Sequence, residues 1–214
     1  MSGNPYKQPT IELIPAKAAV CSDSSITLDV LIRITPPRPA GRVERPPLNL
    51  ALVLDHSGSM SGFQKMPYAK NAAIFAVRHL LPTDRVSVTI FDSEVETIVP
   101  STFATDKPGI ERKISRIEPR GSTDLHGGWR AGACQARECL VAGGLNRVLL
   151  LSDGLANTGL TAPDAIASEV RGMLMCGVGT TTLGVGSDYH EDLMEAMARA
   201  GDGNYYYIES PSQL

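Results

Sequence analysis

Five oxygen-bearing side chains in three short segments could together hold a metal ion. Asp55, Ser57 and Ser59 form the pattern D-x-S-x-S directly after an apolar run. Asp153 follows a second apolar run, and Thr123 lies between them in the segment G-S-T-D. Aspartate, serine and threonine supply hard oxygen ligands, without the sulfur or imidazole that zinc and copper prefer. Such a set suits Mg²⁺ or Mn²⁺ better than Ca²⁺, which usually takes more carboxylate and carbonyl ligands.

The elements predicted around these segments bring them to one edge of a sheet. Residues 48–55 and 147–153 are apolar runs of the kind found in parallel strands that are buried on both faces. Strand and helix patterns alternate from there to residue 208, which predicts an α/β fold: a doubly wound, mostly parallel six-stranded sheet with helices on both faces. Ligands bind such sheets at the carboxyl ends of the strands. We therefore expect Asp55 and Asp153 to meet if their strands are neighbours.

Hydrophobic periodicity, prolines and glycines set the predicted element boundaries. We predict strands at residues 48–55, 85–91, 95–99, 147–153, 180–185 and 204–208. We predict helices at residues 68–81, 107–117, 125–142, 163–174 and 191–200. The gap between the second and third strands is too short for a crossover, so we expect these two strands to pair antiparallel.

Residues 1–47 differ in character from residues 48–214, which form the predicted α/β domain. Segments 10–14 and 25–35 alternate apolar and polar side chains and predict half-buried strands of a small N-terminal β appendage. A proline-rich linker follows them. Near the C-terminus, Ser210 precedes a proline in the pattern of a helix start, so we expect the domain to lack its last helix in this chain.

Composition excludes several classes of protein. Of 214 residues, 43% are hydrophobic and 20% charged, which is ordinary for a globular protein and excludes a disordered chain. The net charge of −3 provides no basic surface for nucleic acid. No apolar run approaches the roughly 20 residues of a membrane span, and the N-terminus lacks an apolar signal region. We expect a cytoplasmic protein that binds neither nucleic acid nor membrane, with four reduced cysteines; the oligomeric state stays open.

The three segments resemble the metal-ion-dependent adhesion site of von Willebrand factor type A domains, and the resemblance covers about three quarters of the chain. It implies that Ser57 and Ser59 bind the metal through their hydroxyl groups and that Thr123 binds it in the ligand-competent state. It also implies that Asp55 and Asp153 act mainly through water molecules. The remaining position on the metal would take an Asp or Glu carboxylate from a partner protein.

The resemblance favours a non-catalytic, Mg²⁺-dependent interaction module, with two alternatives left open. One is a metal-dependent hydrolase or phosphatase with Asp55 as the phosphoryl acceptor. That chemistry usually needs a second acid two residues further on, where this chain has Ser57. The serines also lack the G-x-S-x-G context of a serine hydrolase. The other alternative is a structural scaffold whose metal site is vestigial.

Several neighbouring residues have simpler expected roles. We expect Asp124 to cap the helix that follows it and Trp129 to pack in the core. We expect surface or packing roles for His56 and His126. For Arg120 we expect a solvated charge, with attraction of an acidic ligand as the alternative.

Overall fold

The computed structural model describes residues 8–17, 27–37, 45–153, 156–186 and 191–208. The chain divides into two compact units, Met1–Arg45 and Pro46–Leu214. The predicted helix start at Ser210, as well as Cys21, Gly154 and most of the proline-rich linker, lies outside the described residues. Among those described, no helix is both long and apolar enough to cross a lipid bilayer.

The first unit contains a two-stranded antiparallel ribbon. Strands β1 (Thr10–Pro15) and β2 (Val30–Thr35) pair with Ile11 opposite Ile34. Every residue of both strands is exposed. The prediction of half-buried strands is therefore wrong for these two segments, because the described part of this unit has no second layer to cover a face of the ribbon.

The second unit is built on a six-stranded sheet. Its strands are β3 (Leu48–Asp55), β4 (Arg85–Phe91), β5 (Val95–Phe103), β6 (Leu145–Ser152), β7 (Gly179–Val185) and β8 (Tyr205–Ile208). The strand order is β5-β4-β3-β6-β7-β8, and every neighbouring pair is parallel except β4–β5. This confirms the predicted α/β fold and the antiparallel pairing of the third strand. The chain runs from β3 toward one edge and then returns to β6, so the strand order reverses between β3 and β6.

Helices cover both faces of this sheet. They are a 3-10 helix (Gly58–Ser61), α1 (Lys65–His79), α2 (Lys107–Ser115), α3 (Leu125–Glu138), α4 (Pro163–Met175) and α5 (Glu191–Ala200). Helices α1 and α2 supply one hydrophobic core with side chains such as Val77 and Ile114. Helices α3, α4 and α5 supply the other, where Trp129 is fully buried as predicted.

In the second unit, three element boundaries differ from the prediction by three residues or more, each for a local reason. Helix α1 begins three residues early because Pro67 lies in the first turn, where its missing N–H is not needed. Strand β5 continues through Pro100 because it is an edge strand and its outer side needs no ladder bond. Helix α3 ends at Glu138 because the amide of Val141 donates to the side chain of Asn146 instead of a helical carbonyl.

Candidate metal centre

The sheet places the two strand-end aspartates next to each other. Strands β3 and β6 are parallel neighbours, with Leu54 opposite Leu151. Asp55 ends β3 and Asp153 follows β6 directly, so both lie where the strand order reverses. Both residues are fully buried. Open α/β sheets bind their ligands at this position.

Asp55 is held by hydrogen bonds to both carboxylate oxygens. The backbone N–H of Ser57 donates to Oδ1 at 2.8 Å, and the hydroxyl of Ser152 donates to Oδ2 at 2.5 Å. Burial raises the pKa of Asp55 to about 6, and the negative charge of Asp153 adds to the increase, while the hydrogen bonds from Ser152 and Ser57 oppose it. A buried carboxylate of this kind is stabilised by any cation that reaches it.

The two serines of the D-x-S-x-S segment place their hydroxyl groups side by side. Ser57 Oγ lies 3.0 Å from Ser59 Oγ. Ser57 precedes the 3-10 helix with extended backbone, and its side chain makes no capping hydrogen bond to that helix. The hydroxyl of Ser57 is therefore directed toward Ser59 instead of the helix end, and the pair presents two neutral oxygens next to Asp55.

The loop that carries Thr123 is tied to the Asp55 segment by backbone hydrogen bonds. The N–H of Gly58 donates to the carbonyl of Gly121 at 3.1 Å, and the N–H of Arg120 donates to the carbonyl of His56 at 2.7 Å. Thr123 is buried, and its N–H donates to Oδ1 of Asn157 at 2.9 Å. The structure thus brings the Thr123 loop against the D-x-S-x-S segment and anchors it on its other side through Asn157.

Two charged residues of this region were not found by sequence reasoning. Lys65, the first residue of α1, is buried, and its Nζ lies 3.1 Å from Oδ2 of Asp153. Asp92 follows β4 and is also buried. A strand-end acid is a usable signal, and Asp92 could have been found by it. Lys65 offers no such signal, since a lysine at a helix start usually lies at the surface.

Asp92 is engaged with its neighbours. Its carboxylate accepts hydrogen bonds from Nε of Arg120 at 2.7 Å and from the N–H of Glu94 at 2.7 Å. Burial opposes ionisation of Asp92, but these two donors and the nearby His56 outweigh it and lower the pKa of the carboxyl group. Arg120 thus forms an ion pair with Asp92, while its side chain stays more than half exposed to solvent, as expected for a solvated charge.

Other expectations for this region are met by the structure. Asp124 caps α3, where its carboxylate accepts from the N–H of Gly127. Nδ1 of His56 lies 3.1 Å from the carbonyl oxygen of Glu118, and Nε2 of His126 lies 3.0 Å from Oε2 of Glu169. Both histidine rings therefore contact glutamate residues and not the serine pair.

The donor chemistry of this region fits a hard divalent cation. It combines two buried carboxylates with the hydroxyl groups of Ser57, Ser59 and Thr123. Over the described ranges, no group of three or more His, Cys, Asp or Glu side chains is placed to hold a metal ion. A centre here would therefore depend on hydroxyl ligands, which suits a cation that keeps several waters, as Mg²⁺ does.

Comparison with known proteins identifies the fold around this site. Residues 50–155 match the family model of the von Willebrand factor type A domain. The uncharacterized protein YfbK of Escherichia coli is 33% identical over 171 residues, which cover 79% of this chain and 30% of that protein. Inter-alpha-trypsin inhibitor heavy chain H4 of Homo sapiens is 27% identical over 165 residues, which cover 73% of this chain and 18% of that protein. The chain spans less than a third of the length of these two relatives.

Solved structures show the same fold. The structure of a von Willebrand factor type A protein from Catenulispora acidiphila has a TM-score of 0.66 at 18% identity and covers all of this chain and 48% of its own. Proximal thread matrix protein 1 from the mussel byssus, in a form with a zinc-occupied metal-ion-dependent adhesion motif, has a TM-score of 0.57 at 18% identity. That match covers 79% of this chain and 45% of the mussel protein.

Proposed function

We propose that this chain is a protein-interaction module whose contact depends on a divalent cation, because its residues 50–155 match the family model of the von Willebrand factor type A domain. Mg²⁺ is the first choice and Mn²⁺ the second, with Ca²⁺ less suited. The residues that would hold the cation are Asp55, Ser57, Ser59, Thr123 and Asp153. When bound, the cation would supply a positive charge to which an Asp or Glu side chain of a partner protein can bind.

The observation that carries this proposal is the arrangement of carboxylates and hydroxyl groups where the strand order reverses. Asp55 and Asp153 are both fully buried, and Lys65 next to Asp153 offsets only one of these two unfavourable buried negative charges. The hydroxyl groups of Ser57 and Ser59, 3.0 Å apart beside Asp55, are close enough to bind one small cation together. Their spacing and position support a single shared site.

A carboxylate from a partner suits this centre because the proposed ligands carry little negative charge. Ser57, Ser59 and Thr123 are neutral, and Lys65 offsets part of the charge of Asp153. A divalent cation held mainly by neutral oxygens keeps most of its positive charge and attracts a further anion. We therefore propose that the partner presents an acidic side chain instead of a neutral one.

We propose that the module is not an enzyme. The position two residues after Asp55, where phosphoryl-transfer chemistry usually places a second acid, is the neutral Ser57. In the described part of the chain, neither His56 nor His126 is hydrogen-bonded to a serine of the site. A steady release of phosphate from a generic phosphate ester, abolished by Asp55→Asn, would contradict this and favour the phosphatase alternative.

Calorimetric titration with Mg²⁺ and Mn²⁺ tests the metal site. The double variant Asp55→Ala, Ser57→Ala should lose saturable binding. Ser61→Ala is the matched control, because Ser61 belongs to the same segment but its exposed hydroxyl donates only to the carbonyl of Gly58. Wild-type protein that binds neither ion, or a double variant that binds as well as wild type, would reject the metal site and leave a vestigial scaffold.

A second titration tests the acidic partner. Two synthetic hexapeptides that differ only by a central Asp or Asn are added to the protein with saturating Mg²⁺ and again with EDTA. Binding of the Asp peptide alone, and only with Mg²⁺, is expected. Equal binding of the two peptides would show that the carboxylate is not what the site recognises.

A further inference from the structure

A lysine ammonium lies inside the proposed metal centre. The side chain of Lys65 is only 2% exposed, and its Nζ is 3.1 Å from Oδ2 of the fully buried Asp153. Lysine is almost never buried to this extent unless it is paired with an acid. The ammonium is therefore a fixed positive charge next to one of the residues proposed to hold the cation.

The two residues before Lys65 and the glycine that its side chain packs against hold it in this position. Phe63 and Gln64, directly before it, both have left-handed φ angles of 47° and 60°, which side chains other than glycine rarely adopt. They turn the chain into α1 so that Lys65 faces inward, whereas Phe63 is 82% exposed. The stem of Lys65 packs against Gly186, where an added Cβ would overlap it. Two successive strained residues and a glycine thus accommodate this one side chain.

We propose that Lys65 is the resident counter-cation of the metal centre and keeps its affinity for free divalent cations low. This inference rests on the proposed function. Asp55 and Asp153 together contribute two negative charges, and Lys65 reduces their sum to one. A divalent cation then leaves the centre with a net positive charge, which a single carboxylate from a partner neutralises. Without Lys65, the centre is already neutral when the cation alone is bound.

Two consequences follow from this charge balance. The ammonium and the divalent cation compete for the charge of Asp153, so removal of the ammonium strengthens binding of the free cation. Removal also leaves Asp153 buried next to Asp55 without its positive neighbour, so the metal-free protein becomes less stable. A lysine that served only as a structural ion pair would show the second effect without the first.

Titration of Mn²⁺ followed by electron paramagnetic resonance separates these two cases. Lys65→Met keeps the length of the side chain and removes its charge, and it should bind Mn²⁺ at least about tenfold more tightly than wild type, or about 1.4 kcal/mol. Lys65→Arg keeps the charge and should stay near the wild-type affinity. Lys70→Met is the matched control, because Lys70 lies on the same helix but bonds to Ser115 and Glu118 at the surface.

Thermal unfolding with and without Mn²⁺ keeps the test decisive if Lys65→Met folds poorly. The metal-free variant should melt below wild type, and saturating Mn²⁺ should raise its melting temperature by more than it raises that of wild type. An affinity for Mn²⁺ equal to or below that of wild type overturns the inference, as does a variant that Mn²⁺ does not stabilise further. If neither wild type nor Lys65→Met binds Mn²⁺, the metal site itself is rejected. If wild type binds Mn²⁺ and Lys65→Met binds it no more tightly, the metal site stands and the inference is wrong.

Discussion

The buried carboxyl group of Asp55 should make the metal-free protein less stable as the pH rises. Its pKa is about 6 in the folded protein and 3.8 in the unfolded chain. Between these values the folded state binds more protons than the unfolded state, so the free energy of unfolding decreases as the pH increases toward 6 and levels off above it. The full penalty above pH 7 is about 3 kcal/mol.

Asp55→Asn isolates this contribution, because it replaces the carboxyl group by a neutral side chain of the same shape. Lowering the pH from 8 to 5 should recover roughly half of this penalty in wild type and none of it in the variant. Other groups titrate in the same interval, among them Asp92, whose pKa is lowered instead. The quantity to compare is therefore the difference between wild type and variant at each pH.

Urea unfolding followed by circular dichroism at pH 8 and pH 5, with EDTA present, measures this difference. Asparagine also gives up part of the hydrogen bonding from Ser152 and Ser57, which lowers the stability of the variant by a similar amount at both pH values. The comparison between the two pH values is unaffected by that loss. A difference that does not change with pH, or that changes in the opposite direction, would refute the argument that burial raises the pKa of Asp55.

Further predictions concern the helices and the Asp92 ion pair. Gly132→Ala should lower the unfolding free energy by about 1–3 kcal/mol, because the new Cβ would overlap the side chain of Val53. Gly172→Ala, in α4 with no atom within 4 Å of its Cβ, should raise it by up to about 1 kcal/mol, and thermal unfolding of both variants checks the contrast. Arg120→Ala should raise the pKa of Asp92, seen by NMR titration of its carboxyl carbon, and cost about 1 kcal/mol because the guanidinium is more than half exposed. An unchanged Asp92 titration would show that the N–H of Glu94 and the nearby His56 hold the carboxylate ionised without Arg120.

The sheet was predictable from sequence because two of its central strands, β3 and β6, are mainly apolar runs. Strands buried on both faces, such as β3 and β6, cannot be confused with surface helices, and the short gap before β5 leaves only an antiparallel pairing. Boundaries were less predictable where one side chain decides them. Helix α3 ends early because of Asn146, which lies beyond the helix and leaves no mark in the hydrophobic pattern.

For the N-terminal ribbon, the sequence pattern predicted the strands correctly but predicted their burial wrongly. Alternation in β1 and β2 predicted strands, and strands are present. The alternation of apolar and polar side chains also implied one buried face. Burial depends on what packs against the ribbon, and the alternation carries no information about the packing partner. Ile11 and Ile34 therefore lie opposite each other and exposed.

Motif reasoning about the site has a similar limit, because a motif specifies groups that bind and omits groups that balance charge. Asp55, Ser57 and Ser59 lie within five positions, so their spacing alone indicates a common ligand. Lys65 and Asp153 are separated by 88 positions, and only the fold brings the ammonium to the carboxylate. The affinity of such a centre depends on the sum of charges within a few ångströms, to which a buried lysine contributes as much as a lost aspartate. Two chains with the same five motif residues can therefore differ widely in metal affinity if one has a lysine at this position of its first helix and the other does not.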